Sequence, residues 1–341
     1  GTTTDFDGTF VLETRWGSDS LEASYLGYET QVIPIQLGVK NQKVTFALVP
    51  SAKILQEVVI KEKRGKYKRK GNPAVDLWKE VMAHKNQNLP KKFDYYEYDK
   101  YEKIELDLNN ITEKFRKRKA FKKFQFIFDY VDTSELNGKP YLPIFIRETA
   151  SKVYYRKDPE ATKEYRQGVK VSGLEEYLDN EGISTVTDLL YRNIDIYASN
   201  ILIFDKQFMS PLAPLANTFY RFYILDTIEQ DGMKLIDLAF MPINKLNVGF
   251  KGDLYIKADS TYAVVKADFT ITDNANLNFI NDLRLVQEFQ EINGAWILVK
   301  DQITVDFSPL KQSTGFFAKR SVLYDNHIFN QPREDDLYEG S

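Results

Sequence analysis

The chain is 341 residues long, carries 46 Lys and Arg against 49 Asp and Glu for a formal net charge of −3, and is 43% hydrophobic and 14% aromatic. That length suits about two domains, and the apolar content excludes an intrinsically disordered chain. With no Cys and only two His, His84 and His327, the sequence excludes a disulfide framework and a thiol nucleophile, and it argues against zinc centres and histidine triads.

Residues 1–60 read as short strands and tight turns. Asp5-Phe6-Asp7-Gly8 suits a hairpin turn, because Asp-Gly tolerates positive φ. Strands are predicted at Thr9–Thr14, Leu21–Tyr25, Tyr28–Ile35, Val44–Leu48 and Leu55–Ile60, which together suggest a small β-sandwich. Lys61–Lys70 then holds seven basic residues against one acidic. It reads either as a solvated linker or as a contact for an anionic surface such as lipid headgroups. Asn72-Pro73-Ala74 opens a helix, since Asn caps and Pro is tolerated in the first turn. Val75, Leu77, Trp78, Val81 and Met82 recur at helical spacing up to about Asn88. His84 is expected on its surface.

Phe93–Leu108 is predicted as a long strand. Thr112–Phe128 interleaves Phe115, Phe121, Phe124 and Phe128 with Lys and Arg, as a basic amphipathic helix would. Ile144–Arg156 and Lys163–Val171 read as strands, Leu174–Arg192 as helical and Ile194–Phe204 as strand again. From Phe219 the pattern is a meander: Phe219–Gln230, Met233–Pro242, Asn247–Lys257, Tyr262–Thr272, Leu283–Ile292, Ala295–Phe307 and Phe316–Tyr324, with turns at Asp231-Gly232 and Asn293-Gly294. Long antiparallel meanders curve towards barrels or half-barrels. The expected class is therefore mainly β with a few helices: a small sandwich over 1–60, a basic linker over 61–71, and a helix plus half-barrel-like domain over 72–330.

Chemistry-bearing motifs are sparse. There is no glycine-rich phosphate loop, no His-Glu-x-x-His and no Gly-x-Ser-x-Gly, so neither cofactor, metal nor catalytic residue is assigned. Asp5-x-Asp7-Gly8 lacks the downstream acidic ligands of a calcium loop. Near-neutral charge gives nucleic acid no footprint, and no apolar run of about 18 residues suggests a membrane helix. The chain opens on Gly-Thr-Thr-Thr, without the basic and apolar segments of a signal peptide, and is expected to be a fragment or processed form.

Three sets of residues carry a resemblance. Thr4-Asp5-Phe6-Asp7-Gly8-Thr9-Phe10, followed by Ser24-Tyr25-Leu26-Gly27-Tyr28, resembles the carboxypeptidase-regulatory-like domain, a transthyretin-like sandwich without catalytic residues. That module recurs at the front of Bacteroidota outer-membrane proteins, and its usual first strands are absent here. Asn72-Pro73-Ala74, Tyr101–Ile111 and Asn276–Ile280 resemble the uncharacterised family that follows this module and ends in a membrane barrel. Gly252–Ile256 with Tyr262–Val265 is similar to the half-barrel of periplasmic lipoprotein carriers, whose concave sheet holds acyl chains.

The resemblance implies a non-enzymatic periplasmic region of an outer-membrane protein. Its expected partners are a lipid, a lipoprotein or another envelope protein, bound on a curved sheet. Phe219, Tyr223, Phe240, Phe250, Tyr255, Phe269 and Phe289 are the candidates to line a cavity. Lys66, Lys68, Arg69, Lys70, Arg116, Lys117, Arg118 and Lys119 are the candidates to face an anionic membrane. A purely structural envelope-assembly scaffold is the alternative, and a glycan-active enzyme, needing two carboxylates in a cleft, comes third.

Overall fold

The computed structural model describes residues 9–13, 19–23, 31–39, 41–49, 67–109, 111, 116–117, 128, 131–133, 140–173, 189–204, 206–230, 232–244, 246–272, 275, 277, 280–307 and 315–338. The chain divides into two compact units, Gly1–Val58 and Val59–Ser341.

In the first unit, β1 (Ser20–Ala23) and β2 (Gln31–Pro34) form an antiparallel pair with Glu22 opposite Val32. The described residues at 9–13 and 41–49 form no strand, contrary to expectation. Here amide side chains take up backbone groups that a ladder would use: Gln31 Oε1 accepts from Ala47 N, and Gln42 bonds both the N–H and the C=O of Gln36. The Asp5–Gly8 turn and the Leu55–Ile60 strand lie outside the described residues.

The second unit starts with α1 (Pro73–Asn88), capped by Asn72, whose Oδ1 accepts from Ala74 N at 3.0 Å. The helix stops where Leu89 turns extended before Pro90, the conformation a following proline imposes. A single eleven-stranded antiparallel sheet comes next. It contains β3 (Tyr95–Asn109), β4 (Asp132–Thr133), β5 (Pro140–Arg156), β6 (Ala161–Gly173), β9 (Tyr220–Gln230), β10 (Met233–Pro242), β11 (Phe250–Lys257), β12 (Val264–Ile271), β13 (Ile280–Ile292), β14 (Ala295–Phe307) and β15 (Phe316–Phe329). Two strands lie apart from it as a hairpin, β7 (Asn200–Ile203) and β8 (Lys206–Met209), followed by one turn of helix, α2 (Ala216–Phe219).

Strands β9 to β15 neighbour one another in chain order, as the meander predicts. The Asn293-Gly294 turn has φ of 50° and 73°, the positive values a tight hairpin needs. The sheet then continues β15–β3–β5, with β4 and β6 sharing the outer edge of β5. The last strand therefore pairs with the first, Phe316 opposite Leu108 and Arg320 opposite Ile104. The sheet is curved and not closed: β9 and β6 are its two ends.

Period-two alternation and the register shifts between strands decide which side chains share a face. Phe240 lies opposite Phe222 on β9 and opposite Gly252 on β11, and Gly252 lies opposite Phe269 on β12. Gly252 has φ +154°, and a Cβ there would sit 2.3 Å from Asp268 O. The rings of Phe240 and Phe269 close over this bare backbone with centroids 5.8 Å apart. Trp78 of α1 stacks on Phe222, so this is the face that α1 covers. It is called the inner face below.

Candidate functional site on the inner face

Over β9 to β14 the inner face is filled by the chain itself. Trp78 Nε1 donates to Pro211 O at 2.8 Å, Asn88 Nδ2 reaches Thr261 O at 2.9 Å, and Lys92 Nζ bonds Gly294 O, which lays α1 from one rim of the sheet to the other. Residues 189–213 pack beside it. Leu189, Leu190, Ile196, Ile201, Ile203, Phe208 and Leu212 are all buried. Phe208 meets Phe250 at 5.2 Å and Tyr197 meets Phe289 edge-on at 5.8 Å. The strand predicted for Ile194–Phe204 is confined to Asn200–Ile203. Before it, Asp195 Oδ1 accepts from Tyr197 N, an Asx turn that competes with extended structure.

A buried polar network pins this segment to the sheet. Arg320, 1% exposed, bonds Glu102 Oε2 at 2.7 Å, Asp301 Oδ2 at 3.1 Å and Asn193 Oδ1 at 3.1 Å. Gln287 Nε2 bonds Ile194 O at 2.7 Å and Asp301 Oδ1 at 2.9 Å. Burial pushes the Asp301 carboxyl up, with Arg320 and Gln287 opposing it. Burial also works against the Arg320 charge, but Asp301 and Glu102 outweigh it and hold the guanidinium's pKa above its ordinary value. A charge this buried persists only when paired and hydrogen-bonded.

Beyond that network, over β15, β3, β5 and β6, the inner face changes character. Tyr96, Tyr98, Tyr155 and Tyr324 are half-buried. Tyr96 stacks on Tyr155 at 4.4 Å, and Tyr98 meets Tyr324 edge-on at 5.6 Å and His327 at 5.6 Å. Burial raises the Tyr98 hydroxyl to about 12. Lys100 bridges Glu164 at 3.1 Å. Val169 and Val171 of β6, opposite Thr149 and Arg147, are 46% and 41% exposed. Among the described residues this half is a tyrosine-lined, partly open surface.

The aromatic candidates therefore separate. Phe240, Phe250, Phe269 and Phe289 are buried on the inner face as the packed floor under α1 and residues 189–213. Phe219 is off the sheet, at the end of α2, its ring against Gly249 and Tyr220. Tyr223 and Tyr255 point the other way, because each sits one residue out of phase with an inner-face neighbour (Phe222, and Leu254 with Ile256). Tyr223 meets Tyr67 there. Tyr255 joins a carboxylate-rich patch in which Asp237 and Asp253 lie diagonally on β10 and β11. Burial, and then the charge of its neighbour Asp237, push Asp253 up to about 8; burial pushes Asp237 up to about 6. Asp268 beside them is held bidentate by Arg284 at 2.8 and 2.7 Å.

Of the basic candidates, Lys68, Arg69 and Lys70 are exposed just before α1, Lys117 is exposed, and Arg116 lies over the Phe128 ring. Lys66, Arg118 and Lys119 lie outside the described residues. His84 is half-buried between Glu80 O and the Tyr262 ring. Sequence reading missed the Arg320 network and the tyrosine half, whose members come from strands more than 200 residues apart.

Residues 78–321 match the family of unknown function DUF5686, and the chain belongs to that family. Residues 1–60 match the CarboxypepD_reg-like domain. No curated protein matches. Among solved structures, a DUF1329 family protein from Desulfovibrio piger is 8% identical, with 79% of this chain and 98% of that chain covered and a TM-score of 0.30. A LolA superfamily protein from Nitrosomonas europaea is 12% identical over 78% and 97%, with a TM-score of 0.24. The MucA/MucB complex of Pseudomonas aeruginosa gives 8% identity over 71% and 93%, with a TM-score of 0.19.

Proposed function

We propose that the second unit is a non-enzymatic binding module on the periplasmic side of the outer membrane, and that it holds a polypeptide, a protein partner or the protein part of a lipoprotein, on the tyrosine half of its inner face. The observation that carries this is the division of that face at Arg320. On one side the phenylalanine rings are sealed under the chain's own helix and loop. On the other, tyrosine rings, two exposed valines and the Lys100–Glu164 pair remain within reach. Tyrosines offer broad, stiff contact area with a polar tip at little entropic cost, which suits peptide and side-chain recognition better than an acyl chain. The sealed phenylalanines also favour the scaffold reading for the β9–β14 half.

Site-specific photo-crosslinking in cells tests the proposal. A benzoylphenylalanine placed at Tyr155 or Val169 should give one discrete polypeptide adduct, and the same group at Lys234, on β10 towards the other end of the sheet, should give none. Adducts of equal yield at all three positions, or a lipid-only adduct at Tyr155, would overturn it.

A further inference from the structure

The fold gathers basic and apolar side chains at one rim of the sheet, and they have no part in the inner-face site. β9 begins at this rim, β10 ends there and β11 starts there. The connection between β10 and β11 is folded back on α2: Ile243 N donates to Phe219 O at 2.9 Å, and Asn244 Oδ1 accepts from Leu246 N at 2.9 Å. That Asx turn holds Leu246 out at the tip, 81% exposed, with Val248 at 40%. Leu215, at the cap of α2, is 64% exposed. Exposed leucines scattered singly are ordinary, but these three project from adjoining loops at one rim.

The basic residues come to the same place. Tyr67 OH accepts from Phe222 N at 3.2 Å, two residues into β9, and its ring lies under Arg221 at 5.6 Å. This contact sets the following Lys68, Arg69 and Lys70, all exposed, beside the start of β9. The nearest exposed acidic group on α1, Asp76, is paired with Lys79 at 2.8 Å. A basic cluster of this kind stands out on a chain whose net charge is −3.

We propose that this rim docks on an anionic bilayer surface, with Leu246, Val248 and Leu215 entering the headgroup boundary and Lys68, Arg69 and Lys70 facing lipid phosphates. Apolar side chains at loop tips gain by leaving water, and each nearby basic residue adds attraction to a negatively charged leaflet. Docking there leaves the tyrosine half of the inner face free, so the proposal stands or falls separately from the polypeptide site.

Sedimentation with phosphatidylcholine vesicles, with and without roughly a third phosphatidylglycerol, tests it. The protein should partition onto the anionic vesicles and stay in solution with the neutral ones. Joint replacement Lys68→Gln, Arg69→Gln and Lys70→Gln should lower partitioning on the order of a hundredfold. Leu246→Ser should lower it about tenfold. The control triple Lys157→Gln, Lys163→Gln and Lys234→Gln, which removes the same charge elsewhere on the sheet, should leave it within about twofold. Equal partitioning onto both vesicle types, no partitioning at all, or losses as large in the control as in the rim variant would overturn the proposal.

Discussion

Arg320 on β15 and Glu102 on β3 meet at 2.7 Å across the junction between the last and the first long strands of the sheet. The same guanidinium reaches Asp301 and Asn193, so one side chain joins three strands' worth of sheet to the loop that fills it. Removing it leaves Asp301 buried without its countercharge and Glu102, half-buried, with Lys100 at 3.8 Å as its nearest cation. Arg320→Ala is expected to cost about 3–5 kcal/mol in chemical denaturation and to raise hydrogen exchange in residues 189–213. A loss under about 1 kcal/mol would mean that the network does not hold the plug.

The outer-face carboxyls give a pH prediction with a definite sign. Asp253 and Asp237 are raised to about 8 and about 6 in the fold, above the ordinary value of an unfolded chain. Their contribution is therefore fully present below about pH 4 and is lost as pH rises through 6 to 8. The wild type should melt at a lower temperature at pH 9 than at pH 6, and Asp253→Asn should reduce that difference. An unchanged difference in the variant would place the responsible group elsewhere.

Gly252 cannot take a side chain where it stands. Its φ of +154° and the 2.3 Å approach of Asp268 O to any Cβ force either the ladder or the Phe240–Phe269 contact to open. Gly252→Ala should destabilise by at least about 2 kcal/mol, read as a shifted denaturation midpoint. A neutral result would mean that β11 relaxes at no cost.

At the other end of the outer face, residues 330–338 are strapped down by side chains. Arg333 holds Glu97 at 2.7 and 2.8 Å, Arg156 pairs with Asp335 and lies 4.4 Å from the Tyr338 ring centroid, and Tyr165 OH donates to Leu337 O. The Arg333 hydrogen bond keeps Glu97 below the usual carboxylate range, against burial. Arg333→Ala should speed amide exchange in 334–338 without changing it in β13. Equal protection in both proteins would show that the other contacts suffice.

Much of the architecture was legible from residue patterns. Asn72 and Pro73 announce α1, Asn293-Gly294 its hairpin, and alternation marks β9 to β14 to within a few residues. The pairing of β15 with β3 was not, because nothing local at Phe316 or Leu108 records a partner some 200 positions away. Aromatic character alone marks the cavity candidates and says nothing of phase: Tyr255 falls between Leu254 and Ile256 and must face away from them. The filling of the sheet was hidden for a different reason. Ile194–Phe204 has strand composition, yet Asp195, Ser210 and Gln287 supply hydrogen bonds that fold it as a loop against the phenylalanines.

The most direct measurement is titration of the delipidated protein with a fluorescent fatty acid, followed both by probe emission and by tryptophan fluorescence in a Trp16→Phe, Trp296→Phe background, which leaves Trp78, stacked on Phe222 at the sealed end, as the emitter. Because Phe240, Phe250 and Phe269 are already covered by α1 and residues 189–213, no saturable uptake and no change at Trp78 are predicted. Saturable binding of one acyl chain per molecule, accompanied by a shift in Trp78 emission and abolished by Phe240→Trp, would contradict the account.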